Sequence, residues 1–325
     1  MIFKTLRLFT CLLGLSGAAI QGAERLSVIS SIPDIAWLAS EIGGIYVESK
    51  PLLKGNENPH YVDAVPEFIR LAADAQIVCM VGLDLEVGYM PAVRSRSGNA
   101  AIQLGGKGYC DAGKGVTVLD KPVGGVDRSM GDVHPTGNPH YYLSPKSMAE
   151  AAKEIEMTLS RVDPVHTADY KSSLVKLVTK LEKIGETNRA KIAALKLQSK
   201  NVLIEYHREF TYFLDYYGLS SLGSIEEKPG VPPSAGRIAE LAISAKAAGV
   251  RFVLATDYSP AKTLKRFSEL SGIPVVVVPT MIQSYAHLNS YEDVQNKIID
   301  SIVKTVRELQ GGGEGEAVQL VPPKK

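Results

Sequence analysis

The sequence has no excess of charge of either sign, and it lacks the signatures of common hydrolases. Its 36 basic residues face 35 acidic ones, so nucleic-acid binding, which needs many cationic side chains, is not expected. Neither a His-Glu-x-x-His pair nor a Gly-x-Ser-x-Gly turn occurs, which argues against a zinc-peptidase helix and a nucleophile elbow. With 325 residues, 45% of them hydrophobic, the chain has the length and composition of an ordinary two-domain globular protein.

The apolar run at the N-terminus, residues 8–15, is too short to span a membrane. It follows Lys4 and Arg7 and precedes the small residues 16–19, an order typical of a cleavable secretory signal. We therefore predict a signal peptide over residues 1–23 and an exported, soluble product with no direct membrane insertion. Cleavage leaves 36 − 2 = 34 basic groups against 35 acidic ones, a net charge of about −1.

Cysteine is scarce, with three residues in the chain. Cys11 lies inside the predicted signal, in a context unlike that of a lipid-attachment cysteine. Cys79 and Cys110 survive cleavage, and an oxidising compartment permits a disulfide between them. Cys79 lies in the apolar segment 76–81, however, where a buried free thiol is equally expected. The sequence leaves this pairing open.

Proline is absent from residues 167–197, and glycine occurs there once, at Gly185. The apolar residues of this segment recur near helical spacing, which predicts a single helix about 45 Å long. A helix of that length can run along two lobes, and a stiff connection of this kind limits how far the lobes open.

On both sides of this helix, short apolar runs alternate with helical patterns, as in parallel β/α units. The predicted fold is therefore α/β, with two lobes of parallel sheet bridged by one long connector helix. We predict lobes at 24–162 and 199–310, the connector at 163–198 and a flexible tail at 311–325. The predicted strands are 26–32, 76–81, 116–119, 202–205, 252–255 and 275–278, and the predicted helices are 34–42, 63–75, 85–95, 144–161, 209–217, 238–248, 261–270 and 291–309.

The tetrapeptide Asn-Pro-His-Tyr occurs twice, at residues 58–61 and 138–141. Proline disfavours the α conformation of the residue before it, so each histidine is expected at the end of a strand or the mouth of a loop. His60, His140 and, in the second lobe, His207 all lie at strand-to-helix connections, where α/β units bind ligands. Three neutral imidazoles that meet at one point suit Zn²⁺.

A zinc site of this kind takes a carboxylate or water as its fourth ligand. Asp257 is the natural candidate because it follows a predicted buried strand, although capping of the next helix explains it nearly as well. His134, in the loop before the second repeat, is expected to be a solvated residue, with an outer-shell or capture role as the alternative.

Three segments resemble a known family. Asn-Pro-His at 58–60, Asn-Pro-His-Tyr-Tyr-Leu-Ser-Pro at 138–145 and Tyr-His-Arg-Glu-Phe-Thr-Tyr-Phe at 206–213 are similar to the metal-binding signatures of periplasmic substrate-binding proteins of zinc and manganese ABC transporters, the cluster A-I family. The segment 226–234 is similar as well, so the resemblance covers essentially the whole mature chain. It implies two α/β lobes joined by a long helix, with His60, His140 and His207 at the ligand positions.

The resemblance also implies a function. It predicts a monomeric periplasmic receptor that binds Zn²⁺ between its lobes and delivers it to a membrane ABC permease, with no catalytic step. Mn²⁺ is the alternative ion, and a secreted zinc-dependent hydrolase is the alternative class.

The chain departs from the family pattern at the fourth ligand. Many members supply an aspartate after the last strand, but residues 279–289 contain no carboxylate. Relatives often carry an acidic residue at the position of Asp257, so we prefer Asp257 over Glu227, His287 or water. No long histidine-rich tract is present, and high-capacity metal capture is therefore not expected.

Overall fold

The computed structural model describes residues 25–126, 130–131, 133–197 and 202–311. The predicted signal peptide, and all but the first residue of the predicted tail, lie outside these described residues.

The first lobe contains a parallel sheet of four strands in the order β2-β1-β3-β4. The strands are β1 (Leu26–Ser30), β2 (Val47–Pro51), β3 (Ile77–Met80) and β4 (Tyr109–Asp111), and the helices are α1 (Pro33–Gly43), α2 (Pro66–Asp74), α3 (Met90–Arg96) and α4 (Pro145–Val162). All four helices have a proline within their first two residues. Proline favours these starts because its φ is already helical and its missing N–H has no partner in the first turn.

The connector is a 27-residue helix, α5 (Thr167–Ala193), which packs against α1 and α4. Its buried residues recur at helical spacing and include Tyr170, Leu177, Leu181 and Ile184. None of the described helices, α5 included, is long and apolar enough to cross a membrane.

The second lobe repeats the parallel arrangement with the strand order β6-β5-β7-β8. Its strands are β5 (Leu203–Glu205), β6 (Ser221–Ser224), β7 (Phe252–Thr256) and β8 (Val275–Val278), and its helices are α6 (Thr211–Tyr217), α7 (Ala235–Ala247), α8 (Ala261–Ser271) and α9 (Tyr291–Gln310). Both α9 and α6 pack on the connector. A Cβ at Gly185 would collide with the ring and hydroxyl of Tyr216, so the single glycine of α5 allows α6 to approach closely.

A single hydrophobic core extends through both lobes. It contains Leu38 of α1, Leu181 of the connector, Phe213 of α6 and Ile298 of α9. The second sheet separates this shared core from a smaller one under α7 and α8. In β7 the side chains alternate between the two, with Phe252 and Leu254 in the shared core and Val253 and Ala255 in the smaller one. This burial on both faces explains the continuous apolar run of the strand.

The structure corrects the element prediction in three respects. Residues 116–119 form no strand, because the N–H of Leu119 donates to the Tyr212 hydroxyl and its C=O accepts from the N–H of Asn138, outside any sheet. The sequence prediction missed β2, β4 and β6, which are edge strands that contain polar residues. The helix predicted at 85–95 is shorter, since the chain first makes turns and only then enters α3.

A disulfide joins Cys79 to Cys110. The two residues are direct partners in the register of β3 and β4, with a Cα–Cα distance of 4.4 Å, and both are buried. The pairing that the sequence left open is therefore present, and it links neighbouring strands of the first sheet.

Candidate metal centre

The two Asn-Pro-His repeats fold in the same way. In each, the asparagine Oδ1 accepts the backbone N–H of the histidine two residues later, at 3.0 Å from Asn58 to His60 and at 3.0 Å from Asn138 to His140. This is the local turn that asparagine side chains favour. The loops that carry the repeats follow β2 and β4. Both histidines therefore lie at the edge where the parallel strands of the first sheet end.

His207 comes from the corresponding edge of the second sheet. It follows β5 by two residues, in a short loop that leads into α6. The buried carboxylate of Glu205, at the end of β5, accepts the N–H of Phe210 at 2.9 Å. This bond closes the loop and fixes the position of His207 relative to the strand.

The three loops bring three imidazoles together. His60 Nε2 and His140 Nε2 are 2.9 Å apart, and one nitrogen of each ring, His207 included, lies within 4.8 Å of the others. In a tetrahedral zinc site with Zn–N distances of 2.0–2.1 Å, the ligand nitrogens are about 3.3 Å apart. Small movements of the three rings would therefore bring their nitrogens to the separation that zinc requires. Among the histidine, cysteine and acidic residues that the structure describes, His60, His140 and His207 form the group whose ligand atoms lie this close together. Asp257 does not belong to it.

Hydrogen bonds orient two of the rings. His140 Nδ1 lies 2.9 Å from Asn138 Oδ1, and His207 Nδ1 lies 2.9 Å from Glu226 Oε2. Both oxygens accept, so the proton of each neutral ring is on Nδ1 and the lone pair is on Nε2. A carboxylate behind a ligating histidine fixes its tautomer and increases its basicity. The sequence prediction missed Glu226 as the partner of His207; it considered only the neighbouring Glu227, which is exposed, and only as a fourth metal ligand.

The surroundings of the buried His140 and the half-buried His207 shift the pKa values of the two rings in opposite directions. Burial, followed by the neighbouring rings of His60 and His207, holds the pKa of His140 well below 6.5. Burial also opposes protonation of His207, but the carboxylates of Glu226, Glu209 and Glu205 outweigh it and raise the pKa of His207 above 6.5. His140 therefore remains a neutral ligand to lower pH than His207 does.

Two carboxylates have raised pKa values, the buried Glu209 beside the histidines and the half-buried Asp257 after β7. Glu209 lines the same recess as His60 and His207, and its Oε2 accepts the Tyr258 hydroxyl at 2.7 Å. Burial raises the pKa of Glu209 to about 7 and that of Asp257 to about 6. Neither oxygen of Asp257 makes a side-chain hydrogen bond of good geometry, and the same holds for Glu209 Oε1. These oxygens are buried acceptors with capacity for a cation.

The other predicted histidines differ in position. His134 is half-buried, its ring centroid is 5.1 Å from that of His60, and it lines a recess with His140 and His207. The expectation of a solvated loop residue is therefore wrong, because the loop folds back over the site. His287 is exposed and stacks on Tyr285 with centroids 6.0 Å apart, outside the imidazole cluster.

Comparison with known proteins identifies the family. The model of the ZnuA family, described as periplasmic component A of a zinc-uptake complex, matches residues 28–305. The chain belongs to this family. The manganese ABC transporter substrate-binding lipoprotein PsaA of Streptococcus mitis is 22% identical over 300 residues, which cover 91% of this chain and 94% of PsaA. The iron ABC transporter substrate-binding lipoprotein MtsA of Streptococcus pyogenes serotype M1 is 24% identical over 263 residues, 80% of this chain and 81% of MtsA.

The fold agrees with this assignment. A crystal structure of ZnuA, 21% identical, matches with a TM-score of 0.72 over 87% of this chain and 99% of that one. The predicted α/β fold with two parallel sheets and a bridging helix is confirmed. A member of this family is a metal-binding component of an uptake system and not an enzyme, so the alternative of a secreted hydrolase is wrong. The relatives are named for different ions, manganese for PsaA and iron for MtsA.

We expect metal affinity to fall as the pH decreases from 8 to 5.5. A metal binds only neutral imidazole, and the raised pKa of His207 means that its protonation begins above the ordinary histidine range. Protonation of Glu209 and Asp257 acts in the same direction. Each coupled proton lowers the affinity by up to about tenfold per pH unit. Competition titration with a chromophoric chelator at a series of pH values measures this.

Glu226→Gln provides the matched comparison. Loss of the carboxylate that accepts the His207 Nδ1 proton should move the fall in metal affinity to lower pH. It should also weaken metal binding at pH 8 by roughly 10–100-fold. An affinity that is constant from pH 8 to 6, or a Glu226→Gln profile equal to that of the wild type, would contradict the assigned role of His207.

Proposed function

We propose that the cargo is Zn²⁺, bound between the lobes by His60, His140, His207 and Asp257, and that the protein delivers it to a membrane ABC permease. The observation that carries the proposal is the group of three imidazole nitrogens within 4.8 Å of one another. The proposal includes a periplasmic, monomeric protein released by cleavage of residues 1–23, with lobes at 24–162 and 199–310 joined by the connector at 163–198.

The donor set supports zinc. Three nitrogens and one carboxylate are the ligands that zinc takes in tetrahedral sites, whereas manganese prefers more oxygen donors. Mn²⁺ is the second candidate because Glu209 lines the recess of His60 and His207, and its Oε1 has no hydrogen-bond partner of good geometry among the described residues. Iron and manganese also appear in the names of the relatives MtsA and PsaA.

Metal analysis of the purified mature protein tests the proposal. We expect one zinc ion per chain after loading and dialysis, and we expect equimolar Zn²⁺ to displace Mn²⁺ in a competition titration. Absence of stoichiometric metal would overturn the receptor function. If the protein kept Mn²⁺ in the presence of equimolar zinc, the receptor function would stand and the assigned ion would change from Zn²⁺ to Mn²⁺.

The fourth ligand is tested by Asp257→Asn. We expect this change to lower zinc affinity by roughly 10–100-fold, because the amide is a weaker donor and adds no negative charge. Glu227→Gln is the control, since Glu227 is an exposed acidic residue and its neutralisation should leave affinity unchanged. Equal affinities for Asp257→Asn and the wild type would remove Asp257 from the ligand set.

A further inference from the structure

The second repeat differs from the first in what its asparagine does with its amide nitrogen. Asn138 is 8% exposed. Its Oδ1 accepts both the backbone N–H and the Nδ1–H of His140, at 3.0 and 2.9 Å. Its Nδ2 donates to the backbone C=O of Arg208 at 2.9 Å and to Thr211 Oγ1 at 3.2 Å. One amide group thus holds a histidine of the first lobe and two residues of the second.

The partners in the second lobe adjoin another proposed ligand. Arg208 follows His207 directly, and Thr211 is the first residue of α6. The bond from Asn138 to the Arg208 carbonyl therefore ends one residue from His207. Because both bonds of the amide are short, the position of His140 is tied to that of the loop that carries His207.

Further hydrogen bonds support this connection between the lobes. Asp120 of the first lobe accepts Arg208 Nε and Nη2, both at 3.1 Å, and the Thr211 hydroxyl at 2.6 Å. The Tyr212 hydroxyl donates to the Asn138 carbonyl at 2.8 Å and accepts the N–H of Leu119 at 3.0 Å. Asn138 lies at the centre of this group and is its direct link to a metal ligand.

Asn58 provides an internal comparison. Within the described residues, its side chain makes the one hydrogen bond to the N–H of His60 and none to the second lobe. The identical tetrapeptides therefore share the turn, but the contact between the lobes belongs to the second copy.

We infer that Asn138 is a positioning residue that couples the orientation of His140 to the docking of the loop 207–212, so that its amide donor slows release of the bound metal. The inference rests on the proposed function. It assigns to Asn138 two roles that different substitutions separate, since the acceptor serves His140 and the donor serves the second lobe.

Asn138→Asp separates the two roles. Aspartate keeps the acceptor for His140, and a carboxylate behind a ligating histidine by itself preserves or strengthens metal binding. It loses the donor to the Arg208 carbonyl and places a negative charge near Asp120, whose carboxylate is 3.5 Å from Asn138 Nδ2. If Asn138 acted only on His140, Asn138→Asp would release metal as slowly as the wild type or more slowly.

The experiment measures the dissociation rate of Zn²⁺ by stopped flow with excess chelator. We expect Asn138→Asp to dissociate roughly 10–100-fold faster than the wild type, in the range of changes to groups behind metal ligands. Asn58→Asp, the same change in the first repeat, keeps the acceptor for the His60 N–H and loses no contact with the second lobe, so it should accelerate release less than Asn138→Asp does. Thr211→Val removes one partner from the other lobe without touching His140, and we expect it to increase the rate in the same direction.

Two further measurements distinguish positioning from loss of structure. The visible spectrum of bound Co²⁺ should be the same in Asn138→Asp as in the wild type, because the ligands are unchanged, and one ion per chain should still bind. Unchanged release rates in Asn138→Asp and Thr211→Val, or equal acceleration in Asn58→Asp, would overturn the inference. Failure of the wild type to bind zinc would instead refute the assignment of the ion, and the release rates would then be compared for the ion that it does bind.

Discussion

Replacement of His140 by alanine is expected to lower zinc affinity by more than about 100-fold, which exceeds the effect of removing a group behind a ligand. His140 is 1% exposed, its Nε2 lies 2.9 Å from His60 Nε2, and its Nδ1 proton is held by Asn138. A buried, neutral nitrogen whose lone pair is already directed to the centre cannot be replaced by water without loss of a strong donor. Calorimetric titration or chelator competition measures the change.

His287→Ala is the control for this prediction, because His287 is exposed and lies outside the cluster. It should bind zinc with the affinity of the wild type. A thermal melt of each variant without metal checks that the fold is retained. Unchanged zinc affinity in a folded His140→Ala variant would show that the ion binds elsewhere.

Removal of the disulfide, by the double change Cys79→Ala and Cys110→Ala, is expected to lower the free energy of unfolding by about 4 kcal/mol. The crosslink joins residues 31 positions apart, and closing a loop of that length restricts the unfolded chain by about this amount. The β3–β4 hydrogen bonds are independent of the sulfur atoms, so the sheet should form in the variant. Denaturant titration of the wild type and the variant gives the difference.

The same titration in the presence of a strong reductant is the control. Once the disulfide of the unfolded wild type is reduced, most of the difference from the double variant should disappear. A difference below about 1 kcal/mol in the oxidised proteins would mean that the crosslink contributes little to stability.

The sequence predicted that His60, His140 and His207 lie together, because their signals are local. An identical tetrapeptide with proline in the middle marks His60 and His140, and His207 follows a short apolar strand. The structure brings these three together. Asp257 has an equally plain position after β7, yet it lies outside the cluster, and its assignment as a ligand remains a prediction. The buried strands were found for a similar reason, since Val275–Val278 is apolar without interruption.

What the sequence did not reveal depends on contacts between distant segments. The choice of Glu226 rather than Glu227 as the partner of His207 depends on how the chain leaves β6, an edge strand that sequence patterns did not detect. The donor role of Asn138 depends on Arg208 and Thr211, about 70 residues away and in the other lobe. His134 was misjudged for the same reason, because the fold of its loop over the site is not encoded by its neighbours.

The hydrophobic core that extends through both lobes has a consequence for how the protein unfolds. Buried residues of α1, the connector, α6 and α9 form one hydrophobic cluster. Each lobe therefore covers apolar surface of the other that would be exposed to water if the lobes were separated. Separate sheets need not mean separate folding units. Unfolding should therefore be cooperative across the lobes, and a fragment that begins after the connector should fail to fold alone, because it would expose the inner face of its sheet and helices to water.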